Sequence, residues 1–241
     1  MNNRLLTTLA IILLSVIVAG SPALVSSSTP PATPQFLTIA AQLQGDAPCV
    51  YRPSTQRFLC DTVRNGGDAE FTIAFGEASD TPLLGDVNGI GRDVACVYRP
   101  STQRFFCDAA RDGGLAEFEV FFGAPSDIPL LGDVDGDRRD EPCVFRPSTQ
   151  RFLCDTARNG GDAEFTVAFG ISTDIPLLGD VDSDGRDEPC VFRPSTQRFL
   201  CDTARNGGNA EFEVSFGVAS DIPLIGSLGQ PFGVVLPLVV R

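Results

Sequence analysis

Two short loops crowd carboxylates at alternating positions. Asp133, Asp135 and Asp137 are followed by Glu141, and Asp180, Asp182 and Asp184 are followed by Glu188. Oxygens at the first, third and fifth positions of a tight loop can point to one centre. A backbone carbonyl at the seventh position (Arg139 or Arg186) and a carboxylate at the ninth can complete the shell. Such groups repel one another unless a cation sits among them, and hard oxygen donors on a flexible loop suit Ca²⁺ better than Mg²⁺ or zinc. The alternative is an ordinary solvated Asp/Gly turn. A third loop carries the pattern in weaker form: Asp86, Asn88 and the carbonyl of Arg92 fit, but Ile90 and Val94 stand at the fifth and ninth positions. Asp46, Asp93, Asp140 and Asp187 recur beside these loops, even where no loop remains. That position is expected to cap a turn or pair with an arginine rather than to ligate.

The elements that must position these loops are written four times. Cys49, Cys96, Cys143 and Cys190 each open a copy of C-V-[YF]-R-P-S-T-Q-R-F-[LF]-C-D, and the copies recur every 47 residues. A unit of this length cannot bury its own apolar face and must stack on its neighbours. In the third copy, Ile128 to Gly132 is a short apolar run, Cys143 to Arg146 and Arg151 to Thr156 read as strands, and Glu164 to Phe169 alternates polar with apolar residues as a third strand. Pro147 to Gln150 and Asn159 to Asp162 read as turns. Four short strands per copy, with no helical period, predict an antiparallel meander.

The hairpin register follows from the turn. With Ser148 and Thr149 as loop residues, Pro147 faces Gln150, Arg146 faces Arg151, Phe145 faces Phe152, Val144 faces Leu153, and Cys143 faces Cys154. Facing positions bring Cβ atoms to about 4.5–5.5 Å, within reach of a disulfide. The eight cysteines therefore pair within copies: Cys49–Cys60, Cys96–Cys107, Cys143–Cys154 and Cys190–Cys201. The C-x10-C spacing is poor for zinc; reduced, buried thiols are the alternative. The same register sets two arginines opposite each other in every copy: Arg52/Arg57, Arg99/Arg104, Arg146/Arg151 and Arg193/Arg198. Like charges so placed need acidic partners nearby, or both must stand in water. They read either as an ion-pair network with aspartates of the neighbouring repeat or as a repeated anion site.

Composition narrows the function classes. The net charge of −13 argues against nucleic acid and against an anionic membrane. The chain has no His, so the usual base near neutral pH and the usual transition-metal ligand are both missing. Residues 1–23 hold one basic residue, an apolar run from Leu5 to Gly20 and small residues at Ser21-Pro22-Ala23, the pattern of a secretory signal peptide; an uncleaved anchor is the alternative. Residues 24–35 form a Ser/Thr/Pro-rich linker, and 36–241 the repeat domain. Export agrees with disulfides, and no membrane span is expected after signal cleavage.

Taken together, the Phe-Gly pairs (Phe75-Gly76, Phe122-Gly123, Phe169-Gly170, Phe216-Gly217), the Asp-Ile-Pro-Leu-Leu-Gly-Asp stretch, the D-x-D-x-D loops and the Cys-Val-Phe-Arg-Pro-Ser-Thr strand and turn resemble the FG-GAP/VCBS repeat family, the repeat also found in integrin α-chain propellers. The resemblance covers about residues 80 to 226 strongly and 36 to 79 more loosely. It implies an all-β β-propeller with Ca²⁺ in loops joining the innermost strand of a blade to the next strand. The ligand role carries over to Asp133, Asp135, Asp137, Glu141, Asp180, Asp182, Asp184 and Glu188. The chain departs from the family pattern in its glutamate at the ninth position and in its paired cysteines. Four blades in a small ring closed by terminal strands are expected, with Phe36 to Leu43 standing in for the missing first innermost strand. A partial fifth blade, an open arc and closure by dimerisation are the alternatives.

Three functions compete on these features. The first is a non-catalytic, secreted or extracytoplasmic module, in the periplasm or at the cell surface, that binds a protein or glycan. The second is a hydrolase with acid and base at a propeller face. Against it, Glu70, Glu117, Glu164 and Glu211 recur once per copy, as structural groups do. The third is a spacer. An open ring would make homo-oligomers possible.

Overall fold

A computed structural model of the chain describes residues 47–63 and 67–225. The expected signal peptide, the expected linker and the terminal runs Phe36 to Leu43 and Phe232 to Val240 lie outside the described residues. Within them the chain is all-β, a propeller of four blades built on the 47-residue repeat. The first blade holds β1 (Cys49–Arg52), β2 (Arg57–Cys60) and β3 (Phe71–Ala74). The second holds β4 (Thr81–Gly85), β5 (Val94–Arg99), β6 (Arg104–Cys107) and β7 (Phe118–Phe121). The third holds β8 (Ile128–Gly132), β9 (Glu141–Arg146), β10 (Arg151–Cys154) and β11 (Phe165–Ala168). The fourth holds β12 (Ile175–Gly179), β13 (Glu188–Arg193), β14 (Arg198–Cys201) and β15 (Phe212–Ser215). Each sheet is an antiparallel meander in chain order, because short turns leave no length for a crossover.

The hairpin register is the expected one. Cys143 faces Cys154, Val144 faces Leu153, Phe145 faces Phe152 and Arg146 faces Arg151. All four disulfides form within copies, each with Cα atoms 4.1 Å apart. The turn itself differs from the two-residue loop that the sequence suggested. Pro147 to Gln150 form a four-residue turn, closed by the Gln150 amide donating to the Arg146 carbonyl at 2.8 Å, with Gln150 at φ 56°. Proline fixes the first turn residue near −65°, and the left-handed glutamine then returns the chain in the same register.

Strand alternation distributes each blade between two cores. In β9, Phe145 packs with Phe152, Val167 and Phe169 against Val191 of the fourth blade. Its neighbour Val144 points the other way, into the core made by Tyr98, Phe105, Val120 and Phe122 of the second blade. The same parts, Phe58, Ile73 and Phe75 with Val97, join the first blade to the second. Paired rings such as Phe145 and Phe152, centroids 5.0 Å apart and tilted, sit at the middle of each junction.

The facing arginines are resolved by the neighbouring linker. Asp80, Asp127 and Asp174, each buried before the first strand of a blade, accept two hydrogen bonds apiece from Arg99, Arg146 and Arg193. On the other strand Arg104 and Arg198 reach Glu119 and Glu213. The ion-pair reading therefore holds for Arg99, Arg146 and Arg193, each of which turns its Nε–Nη2 edge to an aspartate in bidentate geometry.

Candidate metal centre

The acidic loops hang between the innermost strand of a blade and the strand beside it, β8 to β9 and β12 to β13. Asp133, Asp135, Asp137 and Glu141 each bring one carboxylate oxygen within 4.8 Å of the others, and so do Asp180, Asp182, Asp184 and Glu188. The loop backbone holds them there. Asp133 accepts from the amides of Gly136 (2.6 Å) and Arg138 (2.7 Å), and Asp137 accepts from the amide of Arg139 (2.9 Å). In the fourth blade Asp180 accepts from Asp184 (3.0 Å) and Gly185 (3.1 Å), Asp182 from Asp184 (3.0 Å), and Asp184 from Arg186 (2.9 Å). Arg186 itself is exposed.

Glu141 and Glu188 differ from the aspartates. Both are fully buried at the start of a central strand, and each accepts one amide, from Val134 and Val181, at 3.0 Å. Their place in the second blade is taken by Val94, which packs with Val87, Cys96 and Cys107. A carboxylate therefore stands in the third and fourth blades where the second has an apolar group. Burial pushes Glu141 well above the usual carboxylate range, with Arg158 pulling it back, and pushes Glu188 up to about 7.

A counter-charge missed in the sequence meets them. Arg158, from the turn after β10, lies with one guanidinium nitrogen on Asp137 Oδ1 (2.6 Å), the Arg139 carbonyl (3.0 Å) and Glu141 Oε1. These are the fifth, seventh and ninth positions of the loop. Arg205 repeats the arrangement on Asp184, but its Nη1 stands 3.6 Å from Glu188 Oε1, and both atoms are buried without a hydrogen-bond partner. In the second blade the equivalent Arg111 finds no acidic loop and stacks on the Phe71 ring at 4.7 Å. The signal was present in the sequence: an arginine precedes the turn glycines in every copy.

The weaker loop behaves as a turn. Asp86 accepts from Gly89, Ile90 and Gly91, Asn88 accepts from Ile90, and Ile90 and Arg92 are exposed. Asp140 and Asp187 cap backbone, though of the preceding blade. Asp140 accepts the Asp86 amide at 2.9 Å while its own amide donates to the Asp86 carbonyl, and Asp187 does the same to Asp133. Asp46 lies outside the described residues. A third carboxylate group, Asp108, Asp112 and Glu117, gathers at the turn after β6. Asp108 there accepts the amides of Asp112 and Gly113, and Asp155 and Asp202 repeat this in later blades.

The donors at the two loops are all oxygens, and Glu188 keeps a buried oxygen with nothing to accept from. That set fits a hard divalent cation. The acidic clusters, each of exposed or half-buried aspartates around one buried glutamate, can bind a metal ion, while the donors alone do not fix which one. No protein-family model matches the chain, and a comparison with curated proteins returns no match. Among the described residues no helix is long and apolar enough to cross a membrane. The four disulfides favour an extracellular or otherwise oxidising compartment.

Proposed function

We propose that the protein is an exported, calcium-binding propeller of the FG-GAP/VCBS type that serves as a non-catalytic binding module for a protein or glycan at the cell surface or envelope. The observation that carries the metal reading is the full burial of Glu141 and Glu188 beside three aspartates each. Asp133, Asp135, Asp137, the Arg139 carbonyl and Glu141 would hold one ion, and Asp180, Asp182, Asp184, the Arg186 carbonyl and Glu188 the other. The ion would supply charge neutralisation and tie each loop to the strand that follows it. Blade-to-blade repetition supports binding over catalysis. The recurring Glu117, Glu164 and Glu211 each accept a nearby turn amide, as a structural group does.

Calorimetry of the oxidised protein tests the metal. EDTA should lower the melting temperature and excess Ca²⁺ should restore it by mass action; an unchanged melt removes calcium from the proposal. A glycan array and a pull-down, each run with Ca²⁺ and with EDTA, test the binding role. Selective, Ca²⁺-dependent capture supports it. No capture under either condition leaves the spacer.

A further inference from the structure

Three junctions within the chain are made from the same parts, and a fourth set of those parts is exposed. On the side of a blade facing its successor stand a β-branched residue, a Phe-Gly pair and the linker aspartate: Ile73, Phe75, Gly76, Asp80; Val120, Phe122, Gly123, Asp127; Val167, Phe169, Gly170, Asp174. The next blade offers a valine and an arginine: Val97 and Arg99, Val144 and Arg146, Val191 and Arg193. Val97, Val144 and Val191 are 0% exposed and the phenylalanines 6–8%. The fit at the glycine is close: a methyl on Gly170 would come within 2.8 Å of Val191 Cγ1.

The fourth blade presents the same face, and no described residue of another blade packs against it. Val214 is 42% and Phe216 74% exposed. A methyl on Gly217 would meet only Asp221 among the groups around it. Asp221 accepts the Val218 amide at 2.9 Å, as Asp80, Asp127 and Asp174 accept theirs, but no arginine reaches it among the described residues. At the other end of the series the first blade presents the complement. Val50 is 62% exposed, and Arg52 makes no ion pair among the described residues. Both faces are exposed at once in one chain, so the chain's own first blade does not fill the fourth blade's face.

We propose that a second copy of the chain fills it. The fourth blade of one protomer receives the first blade of its partner head to tail, Val214 and Phe216 closing on the partner's Val50, and Asp221 taking the partner's Arg52. The contact continues the repeat of the junctions already inside the chain, with the same apolar parts and the same opposite charges. It is heterologous, because the two faces differ, so it joins unlike ends of successive copies rather than like ends. Calcium has no part in it.

Sedimentation velocity on the oxidised, exported protein over a range of micromolar concentrations tests this. The expected result is a species of two or more chains that dissociates on dilution. Val50→Arg and Phe216→Arg, each at an exposed position, should each sediment as monomers with unchanged circular dichroism. Mixed together they should form a one-to-one dimer, since one retains its last-blade face and the other its first-blade face. Arg52→Asp and Asp221→Arg should each weaken association, and the two changes in one chain should restore it. A monomer at all concentrations overturns the proposal in favour of closure within the chain. Association of either arginine variant alone, or failure of the mixture to pair, overturns the head-to-tail geometry.

Discussion

Arg158 donates to the buried carboxylate of Glu141, the group that stands ninth in its acidic loop. The arginine arrives from the far hairpin of the same blade, so the cation nearest the loop is supplied by the chain itself. Arg158 therefore balances the buried charge when no ion is bound and occupies the donors that an ion would need.

That arrangement predicts opposite effects of one substitution. Arg158→Gln in EDTA leaves Glu141 buried without its partner, and should cost on the order of 3 kcal/mol in urea denaturation. The same variant should bind Ca²⁺ more tightly than the parent by isothermal titration calorimetry, because nothing must be displaced. Equal affinity, or weaker, would show that Arg158 assists the ion rather than competing with it.

Stability without metal should fall as pH rises. Burial, with Asp187 nearby, pushes Asp140 up to about 7, and burial pushes Asp187 up to about 6. An acid whose folded pKa lies above its unfolded value, about 4 for aspartate, keeps its proton in the native state where the unfolded chain has lost it. The unfolded state then binds fewer protons, and stability declines through that interval. Urea midpoints in EDTA should be higher at pH 4.5 than at pH 7.5, and Asp140→Asn should flatten the slope. A midpoint rising with pH would contradict the burial of this clamp.

The clamp also requires glycine beside it. A methyl on Gly132 would come within 2.6 Å of Asp187 Oδ2 and 2.9 Å of Leu178 Cδ1. Gly132→Ala should therefore destabilise by about 1–3 kcal/mol, the usual range for overpacking. Thermal unfolding that matches the parent would mean the neighbouring blade moves aside without cost.

Each disulfide closes a short loop, worth roughly 2–3 kcal/mol in the chain-entropy model. Replacing Cys143 and Cys154 together by alanine should lower stability by that amount and leave the register intact, since Phe145 and Phe152 still pair. Peptide mapping of the parent should find Cys143 joined to Cys154 and no free thiol. A cross-copy linkage would contradict the hairpin.

The hairpin was legible because its information is local. One turn and a period of two place Cys143 opposite Cys154 and Arg146 opposite Arg151, whatever the rest of the chain does. The acidic loops were legible for the same reason, since Asp133, Asp135 and Asp137 gather within a few residues. Arg158 was not, because it lies seventeen residues beyond Glu141 and meets it only when the third strand pair folds back. Asp140 read as a cap, but which backbone it caps depends on the preceding blade.

By itself, then, the sequence determined the unit: strand count, pairing register, sulfur bridges and the loops that gather carboxylates. These follow from alternation and turn chemistry inside 47 residues. Only the tertiary structure decided what each unit meets. It set Asp127 on Arg146, Asp187 on the Asp133 backbone, and Arg158 inside the acidic loop, and it left Phe216 and Val50 facing solvent. Identical repeats carry no label of position, so a residue that is core in three copies becomes surface in the fourth only where stacking ends.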